Sequence, residues 1–203
     1  MKANDMYAAE TKKILAKNNI RMYNLIGSPG AGKTSVLENL LPLLEKNNLK
    51  TAVIEGDCTT TRDAERIAAV SVPVVQINTG SACHLDANLI YKALDDLDLS
   101  QIDILFVENV GNMICPVGFN IGEDSKVAVI STAEGDDKPL KYPVLFKESD
   151  FVILTKTDLV PYTNFDMDFF KNSLSEIKTN YEMYAVSNTS NENFGDLVNK
   201  FTN

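Results

Sequence analysis

The chain has 203 residues, of which 44% are hydrophobic and 23% are charged, and its formal net charge at pH 7 is −9. This composition is typical of one globular domain with a substantial core, and the acidic balance argues against nucleic acid as the main partner, because phosphate backbones select basic surfaces. The sequence contains neither an apolar run of the ~20 residues that a membrane span needs nor an N-terminal signal sequence, so we expect a cytoplasmic protein with no membrane partner.

The N-terminal residues 1–20 predict a helical arm. The stretch from Ala3 to Asn18 is polar, with apolar side chains only at scattered positions such as Ile14 and Leu15. Two interpretations stay open, an interaction arm and a cap that packs on the rest of the fold. The remaining residues, 21–203, are predicted to form a single domain.

From Arg21 onward, strand and helix patterns alternate along the chain. The predicted strands are Arg21–Ile26, Thr51–Ile54, Val74–Ile77, Ile104–Val107, Val127–Ser131, Phe151–Leu154 and Met183–Val186. The predicted helices are Lys33–Lys46, Arg62–Val70, Leu85–Leu97, Met167–Ile177 and Phe194–Phe201. Several strands are apolar on both faces, which is expected of parallel strands covered by helices on each side. The order predicts an α/β fold with a doubly wound, mostly parallel sheet and a ligand site at the carboxyl ends of its strands.

The segment between the first predicted strand and its helix fits the phosphate-binding pattern G-x-x-x-x-G-K-[ST]. Its glycines allow backbone N–H groups to face a phosphate, and the following helix directs its positive end to the same place. Lys33 is predicted to reach the β- and γ-phosphates, and the Thr34 hydroxyl is predicted to ligate Mg²⁺. The predicted nucleotide-binding residues of this P-loop are Gly27, Gly30, Ala31, Gly32, Lys33, Thr34 and Ser35. The domain over residues 21–203 is therefore predicted to be a P-loop nucleotide-binding domain.

Two acidic residues follow predicted strands at the same edge of the sheet. Asp57 comes after the second strand, and Glu108 ends the fourth, with Gly111 three residues later. In P-loop enzymes this edge carries the Mg²⁺ acid and the γ-phosphate sensor. We therefore predict Lys33, Asp57 and Glu108 as catalytic residues and Gly111 as a nucleotide contact. Helix capping by Asp57 and a turn at Glu108 are the alternatives.

The sixth predicted strand leads into Thr155-Lys156-Thr157-Asp158, where many GTPases carry Asn-Lys-x-Asp. The Asp158 carboxylate is predicted to accept hydrogen bonds from the guanine N1–H and N2–H₂ groups, which adenine cannot supply, while the Lys156 stem covers the base. Thr155 keeps a hydroxyl but lacks the amide of the usual asparagine, so weaker fixing of the loop is expected. Ser187 is predicted as a further contact near the guanine, although Asn188 departs from the common pattern.

A possible metal site consists of Cys83, His84 and Cys115, in loops that follow the third and fourth strands. Two thiolates and an imidazole suit Ni²⁺ or Zn²⁺. Three ligands leave the site incomplete unless a water molecule or a second subunit adds to it. Two structural thiols and a hydrogen-bonded histidine are the alternative interpretation. The third cysteine, Cys58, is interpreted as incidental.

These motifs together resemble those of the hydrogenase nickel-incorporation GTPases, the HypB family, within the wider class of dimerising metal-chaperone and signal-recognition GTPases (the SIMIBI class). The two blocks around Cys83-His84 and before Pro143 are the most specific, because general P-loop proteins have neither. The stretches that carry the resemblance are Gly27–Thr34, Glu55-Gly56-Asp57 with Thr60, Arg62-Asp63-Ala64 with Arg66, Asn78-Thr79-Gly80, Cys83–Ala87, Glu108–Asn112 with Cys115-Pro116, and Glu134–Pro143.

The resemblance implies GTP hydrolysis to GDP and phosphate, coupled to nickel delivery during [NiFe]-hydrogenase maturation. It implies that Cys83, His84 and Cys115 hold Ni²⁺ or Zn²⁺, that Asp57 and Glu108 serve Mg²⁺, and that Lys156 and Asp158 contact the guanine. It also implies a GTP-dependent homodimer, a HypA-type maturation partner and a hydrogenase large subunit as client.

Two other functions remain open at the level of sequence. One is a scaffold whose dimerisation is controlled by nucleotide while hydrolysis is incidental. The other is a related GTPase that serves another nickel enzyme such as urease. Slow intrinsic turnover is expected in any case, because only Arg62 and Arg66 are conceivable as a catalytic arginine.

Overall fold

The computed structural model describes residues 2–57, 62–190 and 193–202. Seven strands in this part of the chain form one sheet in the order β3-β2-β4-β1-β5-β6-β7, and every neighbouring pair is parallel. The strands are β1 (Arg21–Ile26), β2 (Thr51–Asp57), β3 (Val74–Asn78), β4 (Ile104–Glu108), β5 (Ser125–Ser131), β6 (Phe151–Thr155) and β7 (Glu182–Ala185). The prediction of a doubly wound parallel sheet is confirmed.

Helices connect these strands. They are α1 (Lys2–Lys17), α2 (Lys33–Lys46), α3 (Arg62–Ala68), α4 (Ala87–Ala93), α5 (Lys138–Lys141), α6 (Pro143–Glu148), α7 (Met167–Ile177) and α8 (Phe194–Thr202). Three-residue to six-residue 3₁₀ turns follow several strands, including Cys115–Gly118 and Thr157–Tyr162. In the part of the chain that the structure covers, none of these helices combines the length and the apolar character that a membrane span requires.

The largest differences from the predicted elements lie in two helical regions. The helix predicted over Leu85–Leu97 is shorter, because Asp86 caps α4 by accepting a hydrogen bond from the Leu89 N–H, and the helix tightens to a 3₁₀ turn after Ala93. Helices α5 and α6 were not predicted, since Pro139 and Pro143 interrupt the apolar pattern. Both prolines lie in the first turn of their helix, where the missing N–H costs no intrahelical hydrogen bond.

The core consists of apolar layers on the two faces of the sheet. One layer packs α2 and α8 against the strands, and aromatic rings of Tyr23, Phe106 and Phe201 contact one another at its centre. On the other face, α4 and the end of α1 cover β2 and β4, while α6 and α7 cover β5 and β6. Burial on both faces explains why the central strands β1 and β4 are mostly apolar.

The N-terminal helix α1 packs on α4. It buries Ala8, Thr11 and Leu15, and the rings of Tyr7 and Tyr91 lie 5.4 Å apart between the two helices. The Asn4 side chain accepts a hydrogen bond from the Ala87 N–H (2.9 Å) and donates one to the Asn120 carbonyl. The first residues of the chain are therefore fixed beside the start of α4.

We expect Gly27→Ala to destabilise the fold by about 3 kcal/mol, because a core position that is already filled tolerates no added carbon. A Cβ atom at Gly27 would lie 2.2 Å from the Val129 carbonyl oxygen of the neighbouring strand. Urea unfolding followed by circular dichroism measures the effect. The control is Gly195→Ala in α8, where an added Cβ meets nothing within 4 Å, and where alanine should stabilise the helix by about 0.5–1 kcal/mol. Equal unfolding midpoints for the two variants would contradict the prediction.

Candidate functional site

The loop between β1 and α2 lines a cavity of about 400 Å³ at the carboxyl edge of the sheet. Gly32 adopts a left-handed backbone conformation (φ 96°) as the residue before α2, and a Cβ there would approach the Thr155 hydroxyl within 3.2 Å. The cavity is lined by Pro29, Gly30, Gly32, Lys33, Thr34, Ser35, Glu55, Gly56, Asp57, Asp63, Arg66, Glu108, Asn109, Val110, Gly111 and Lys156. The structure thus brings most of the predicted phosphate-site residues together around one cavity.

Lys33 and Thr34 begin α2 and are both buried. The Lys33 ammonium donates hydrogen bonds to the carbonyl oxygens of Ser28 (3.3 Å) and Gly27 (3.5 Å) within the loop. These hydrogen bonds hold the Lys33 ammonium against the P-loop backbone, so its positive charge lies beside the place where a phosphate would bind. Because the first helical N–H groups face the same space, this end of α2 favours an anion.

Glu108 is the buried acid at the end of β4. Its Oε1 accepts a hydrogen bond from the Thr34 hydroxyl (2.7 Å), and its Oε2 finds no hydrogen-bond partner among the described residues. Burial raises the pKa of Glu108 to about 7, although the charge of Lys33 and the bond from Thr34 oppose this shift. Asp57 ends β2 at the same edge and is half-buried.

These residues fit a magnesium ion. The Thr34 hydroxyl and the carboxylates of Asp57 and Glu108 are hard oxygen donors, which Mg²⁺ prefers. The unpartnered Oε2 of Glu108 is buried at the cavity, and an oxygen in that situation is stabilised by a cation.

Sequence reasoning missed Glu55. The predicted second strand ends at Ile54 and Glu55 was given no role, but β2 extends to Asp57 and Glu55 lies inside it, 2% exposed. Burial and the neighbouring carboxylates of Glu108 and Asp57 raise the pKa of Glu55 to about 8. The available signal was that Glu55 follows the apolar run Ala52-Val53-Ile54 with no turn-forming residue between them.

Asn109 links two loops of the site. Its side-chain oxygen accepts hydrogen bonds from the N–H groups of Val110 (3.0 Å) and Leu85 (3.0 Å), and its side-chain nitrogen donates to the Asn24 side chain (3.0 Å). Asn109 directly follows Glu108, and Leu85 directly follows His84. A single buried side chain therefore joins the phosphate edge of the site to the loop that carries the predicted metal ligands.

Gly111 and Ser35 both line the cavity. A Cβ at Gly111 would come within 2.8 Å of the Pro29 ring, so glycine lets the loop after β4 pack directly on the P-loop. The Ser35 hydroxyl accepts a hydrogen bond from Arg66 (3.0 Å), whose guanidinium also binds the carboxylates of Glu38 and Asp63. These bonds fix the only arginine among the described residues that lines this cavity.

The predicted base-reading residues follow β6 and β7. The Ser187 hydroxyl donates a hydrogen bond to Asp158 Oδ1 (2.7 Å), and the Lys156 ammonium donates to the Gly30 carbonyl of the P-loop (2.8 Å). Lys156 has a left-handed backbone (φ 57°), which turns its side chain back across the loop. The structure therefore orients one oxygen of Asp158 and leaves the stem of Lys156 beside the P-loop.

Thr155 fixes the P-loop despite lacking an amide. Its hydroxyl donates a hydrogen bond to the Ala31 carbonyl (2.6 Å) from a fully buried position at the end of β6. This bond ties the P-loop to the end of β6, and weaker fixing than by an asparagine stays a prediction. The close approach of β6 to the loop, which the sequence does not reveal, allows the short side chain to reach.

The predicted metal ligands occupy two adjoining loops. Cys83 Sγ lies 3.6 Å from His84 Nδ1, and the His84 ring stacks on Phe119 with 3.9 Å between ring centroids. Phe119 directly follows the 3₁₀ turn that starts at Cys115, so the two loops are packed together. Among residues 2–57, 62–190 and 193–202, no three His, Cys, Asp or Glu side chains are grouped to hold one metal ion. Cys58 and Thr60 lie outside the described residues.

Comparison with known proteins gives matches over most of the chain. The family model "CobW/HypB/UreG, nucleotide-binding domain" matches residues 21–185. A protein of Azotobacter vinelandii named hydrogenase maturation factor HypB is 46% identical over 195 residues, which cover 96% of this chain and 64% of that protein. The chain thus spans slightly less than two thirds of that relative's length.

Two further similarities extend the comparison. A Helicobacter hepaticus protein named hydrogenase/urease maturation factor HypB is 40% identical and is covered over 81% of its length, with 96% of this chain aligned. The crystal structure of HypB from Helicobacter pylori in complex with nickel superposes with a TM-score of 0.92 at 38% identity, covering 98% of this chain and 93% of that chain.

Proposed function

The chain belongs to the CobW/HypB/UreG family of nucleotide-binding domains, and we propose that it is a GTP-hydrolysing switch that controls nickel delivery during hydrogenase maturation. The observation that carries this proposal is the Asn109 side chain, which bonds the loop after Glu108 to the backbone N–H that follows His84. Nucleotide and metal loops in the same chain are thereby coupled through one hydrogen-bonded group. The relative from A. vinelandii, named as a hydrogenase maturation factor, supports the client class.

In this proposal the chain binds the triphosphate through the P-loop. Lys33 neutralises phosphate charge, and the N–H groups of the loop and of α2 donate to phosphate oxygens. Thr34, Asp57 and Glu108 hold the magnesium ion, which offsets the charge of the phosphates when it is bound. Asp158, oriented by Ser187, accepts hydrogen bonds from guanine and thereby selects GTP.

Turnover is slow in this proposal. Arg66 lies at the cavity, but its guanidinium is bound by Glu38 and Asp63. A catalytic arginine must reach the charge that develops on the transferred phosphate, and its loss costs several orders of magnitude in rate. Because Glu38 and Asp63 hold this arginine, hydrolysis is slow, and slow hydrolysis sets how long the chain stays in its GTP-bound state.

Nickel is the cargo in this proposal. Cys83, His84 and Cys115 supply soft and borderline donors, and a second copy of the chain adds the ligands that one copy lacks. Ordering of the loop after Glu108 by the γ-phosphate shifts Cys115 in the same loop and His84 through Asn109. GTP-dependent homodimerisation and nickel affinity are therefore coupled.

Urease maturation is the second candidate function. The H. hepaticus relative carries both hydrogenase and urease in its name and is similar to this chain over most of its length. Transfer assays with purified apo-hydrogenase and apo-urease decide between the two clients.

We expect Cys83→Ala and Cys115→Ala to lower Ni²⁺ affinity at least about tenfold each, because each removes a thiolate donor. Equilibrium titration with Ni²⁺ is carried out with a non-hydrolysable GTP analogue and with GDP, and light scattering gives the molar mass in each state. The thiol control is Cys58→Ala, which should bind nickel as wild type does. Unchanged nickel affinity in both variants would exclude the proposed ligands, and a monomer in both nucleotide states would exclude the coupling.

A further inference from the structure

Glu55 is a buried carboxyl group at the cavity to which the proposed function gives no task. It is 2% exposed, it lies in β2, and its side chain lines the same cavity as Lys33 and Thr34. Its Oε2 has no hydrogen-bond partner among the residues that the structure describes. A buried carboxylate oxygen without a partner is costly, so a fold that keeps one at a ligand cavity calls for an explanation.

The sheet register places Glu55 beside Glu108. The two residues are Cα partners in the parallel β2–β4 pair, and both side chains line the cavity. Neighbouring strands lie about 4.8 Å apart, so the two carboxyl groups are adjacent. Glu108 Oε2 also has no partner in the described chain. Two adjacent strands therefore each present one unpartnered carboxylate oxygen at this cavity.

The charges around the pair leave an excess of negative charge. Asp57 and Asp63 act on Glu55 in addition to Glu108, and Lys33 is the nearby positive charge that acts on both glutamates. Lys33 is predicted to turn to the phosphates when a nucleotide is bound, and Arg66 is bound to Glu38 and Asp63. A divalent cation satisfies the unpartnered oxygens and offsets this charge.

We propose that Glu55 is a positioning residue for the divalent cation that accompanies the nucleoside triphosphate, acting with Glu108 on the water molecules around that cation. Mg²⁺ keeps several water ligands in such sites and is held by one or two carboxylates, so a second carboxylate beside Glu108 fits hydrogen bonding to those waters. The inference rests on the proposed nucleotide-binding function. It adds to that function a residue that sets the Mg²⁺ concentration at which the chain binds GTP.

Binding of a fluorescent GTP analogue tests this inference without requiring hydrolysis. Nucleotide affinity is measured in EDTA and then as a function of Mg²⁺ concentration, for wild type, Glu55→Gln and the matched surface control Glu45→Gln at the exposed end of α2. We expect Glu55→Gln to raise the half-saturating Mg²⁺ concentration about tenfold while affinity in EDTA stays within twofold, because second-sphere partners of a metal typically contribute 10–100-fold. Glu45→Gln should match wild type in both measurements.

The conservative variant Glu55→Asp keeps the carboxylate on a side chain that is one methylene shorter. It should give an increase in half-saturating Mg²⁺ of about threefold, between wild type and Glu55→Gln, and it carries the test alone if Glu55→Gln does not fold by circular dichroism. An unchanged Mg²⁺ requirement in the folded variants overturns the inference and leaves the proposed function standing. A parallel loss of affinity with and without Mg²⁺ also overturns it, since that pattern marks a structural role. A wild-type protein that binds no nucleotide overturns both.

Discussion

Replacing Lys33 with alanine is expected to lower the affinity for GTP about 100-fold and the rate of GTP hydrolysis by at least as much. The Lys33 ammonium is buried at the start of α2 and lies 3.3 Å from the Ser28 carbonyl, so the P-loop itself holds this charge in place before any phosphate arrives. Removing it leaves the loop N–H groups to bind the phosphates without a full positive charge. The measurements are fluorescent-nucleotide binding and single-turnover phosphate release.

The matched control for this prediction is Lys46→Ala. Lys46 is the exposed last residue of the same helix, α2. Its replacement by alanine removes the same positive charge from the same helix without changing the cavity. It should bind and hydrolyse GTP as wild type does. Equal hydrolysis by Lys33→Ala and Lys46→Ala would show that the cavity does not act as a P-loop phosphate site.

The Lys33 variant does not by itself separate the two mechanisms that the sequence leaves open. A scaffold that needs bound nucleotide but no hydrolysis also loses nickel transfer with Lys33→Ala, since GTP binding is weakened about 100-fold. A slowly hydrolysed analogue supplied to wild type then distinguishes the two, because a scaffold transfers nickel with the analogue and a hydrolytic switch stalls. The binding and cleavage steps are thereby tested independently.

The sequence predicted the fold well where the signal is local. Seven strands were identified from short apolar runs such as Phe151–Leu154, because strands buried on both faces need a nearly continuous apolar sequence. The P-loop was identified by its spacing together with the strand pattern before it and the helix pattern after it, which is the context that this motif requires. The family resemblance from these motifs is confirmed by the matches over most of the chain.

The features that the sequence did not reveal depend on contacts between distant residues. The role of Thr155 depends on how closely β6 approaches the Ala31 carbonyl, and the burial of Glu55 depends on its register with Glu108 on a neighbouring strand. Asn109 likewise acts through Leu85, 24 residues earlier in the chain. Neither secondary-structure propensity nor hydrophobic periodicity encodes distances between such residues. The sequence therefore indicated which side chains lie at the carboxyl edge of the sheet but not which of them contact one another.

The predicted metal ligands show a different kind of limit. Cys83 and His84 are adjacent in sequence and in space, and the stacking of Phe119 on the His84 ring packs the loop of Cys115 against them. In the described part of one chain these residues do not form a group of three ligands. A site completed by a second copy of the chain is invisible to any pattern in a single sequence, which is why the nickel titration is paired with a mass measurement.

Replacing Asp158 with asparagine is expected to lower GTP affinity about 100-fold and to transfer the preference to xanthosine triphosphate. Guanine presents N1–H and N2–H₂ donors, which a carboxylate accepts, whereas asparagine faces the 2-amino group with a donor and leaves it unpaired. Xanthine carries a carbonyl oxygen in place of that amino group, so it pairs with the asparagine amide. An inverted preference for the base is an outcome that mere destabilisation of the fold cannot produce.

The Asp158 experiment has two controls, which separate base reading from loop structure. Asp168→Asn, on the exposed side of α7, changes the same charge away from the cavity and should leave both affinities unchanged. Ser187→Ala removes the 2.7 Å hydrogen bond that orients Asp158 Oδ1 and should weaken GTP binding only about fivefold, since one neutral-to-charged hydrogen bond is lost while the carboxylate remains. Competition binding with GTP, ATP and xanthosine triphosphate measures all three variants. If Asp158→Asn bound GTP and xanthosine triphosphate as wild type does, the loop after β6 would not read the base, and the switch would respond to any nucleoside triphosphate whose phosphates the P-loop holds.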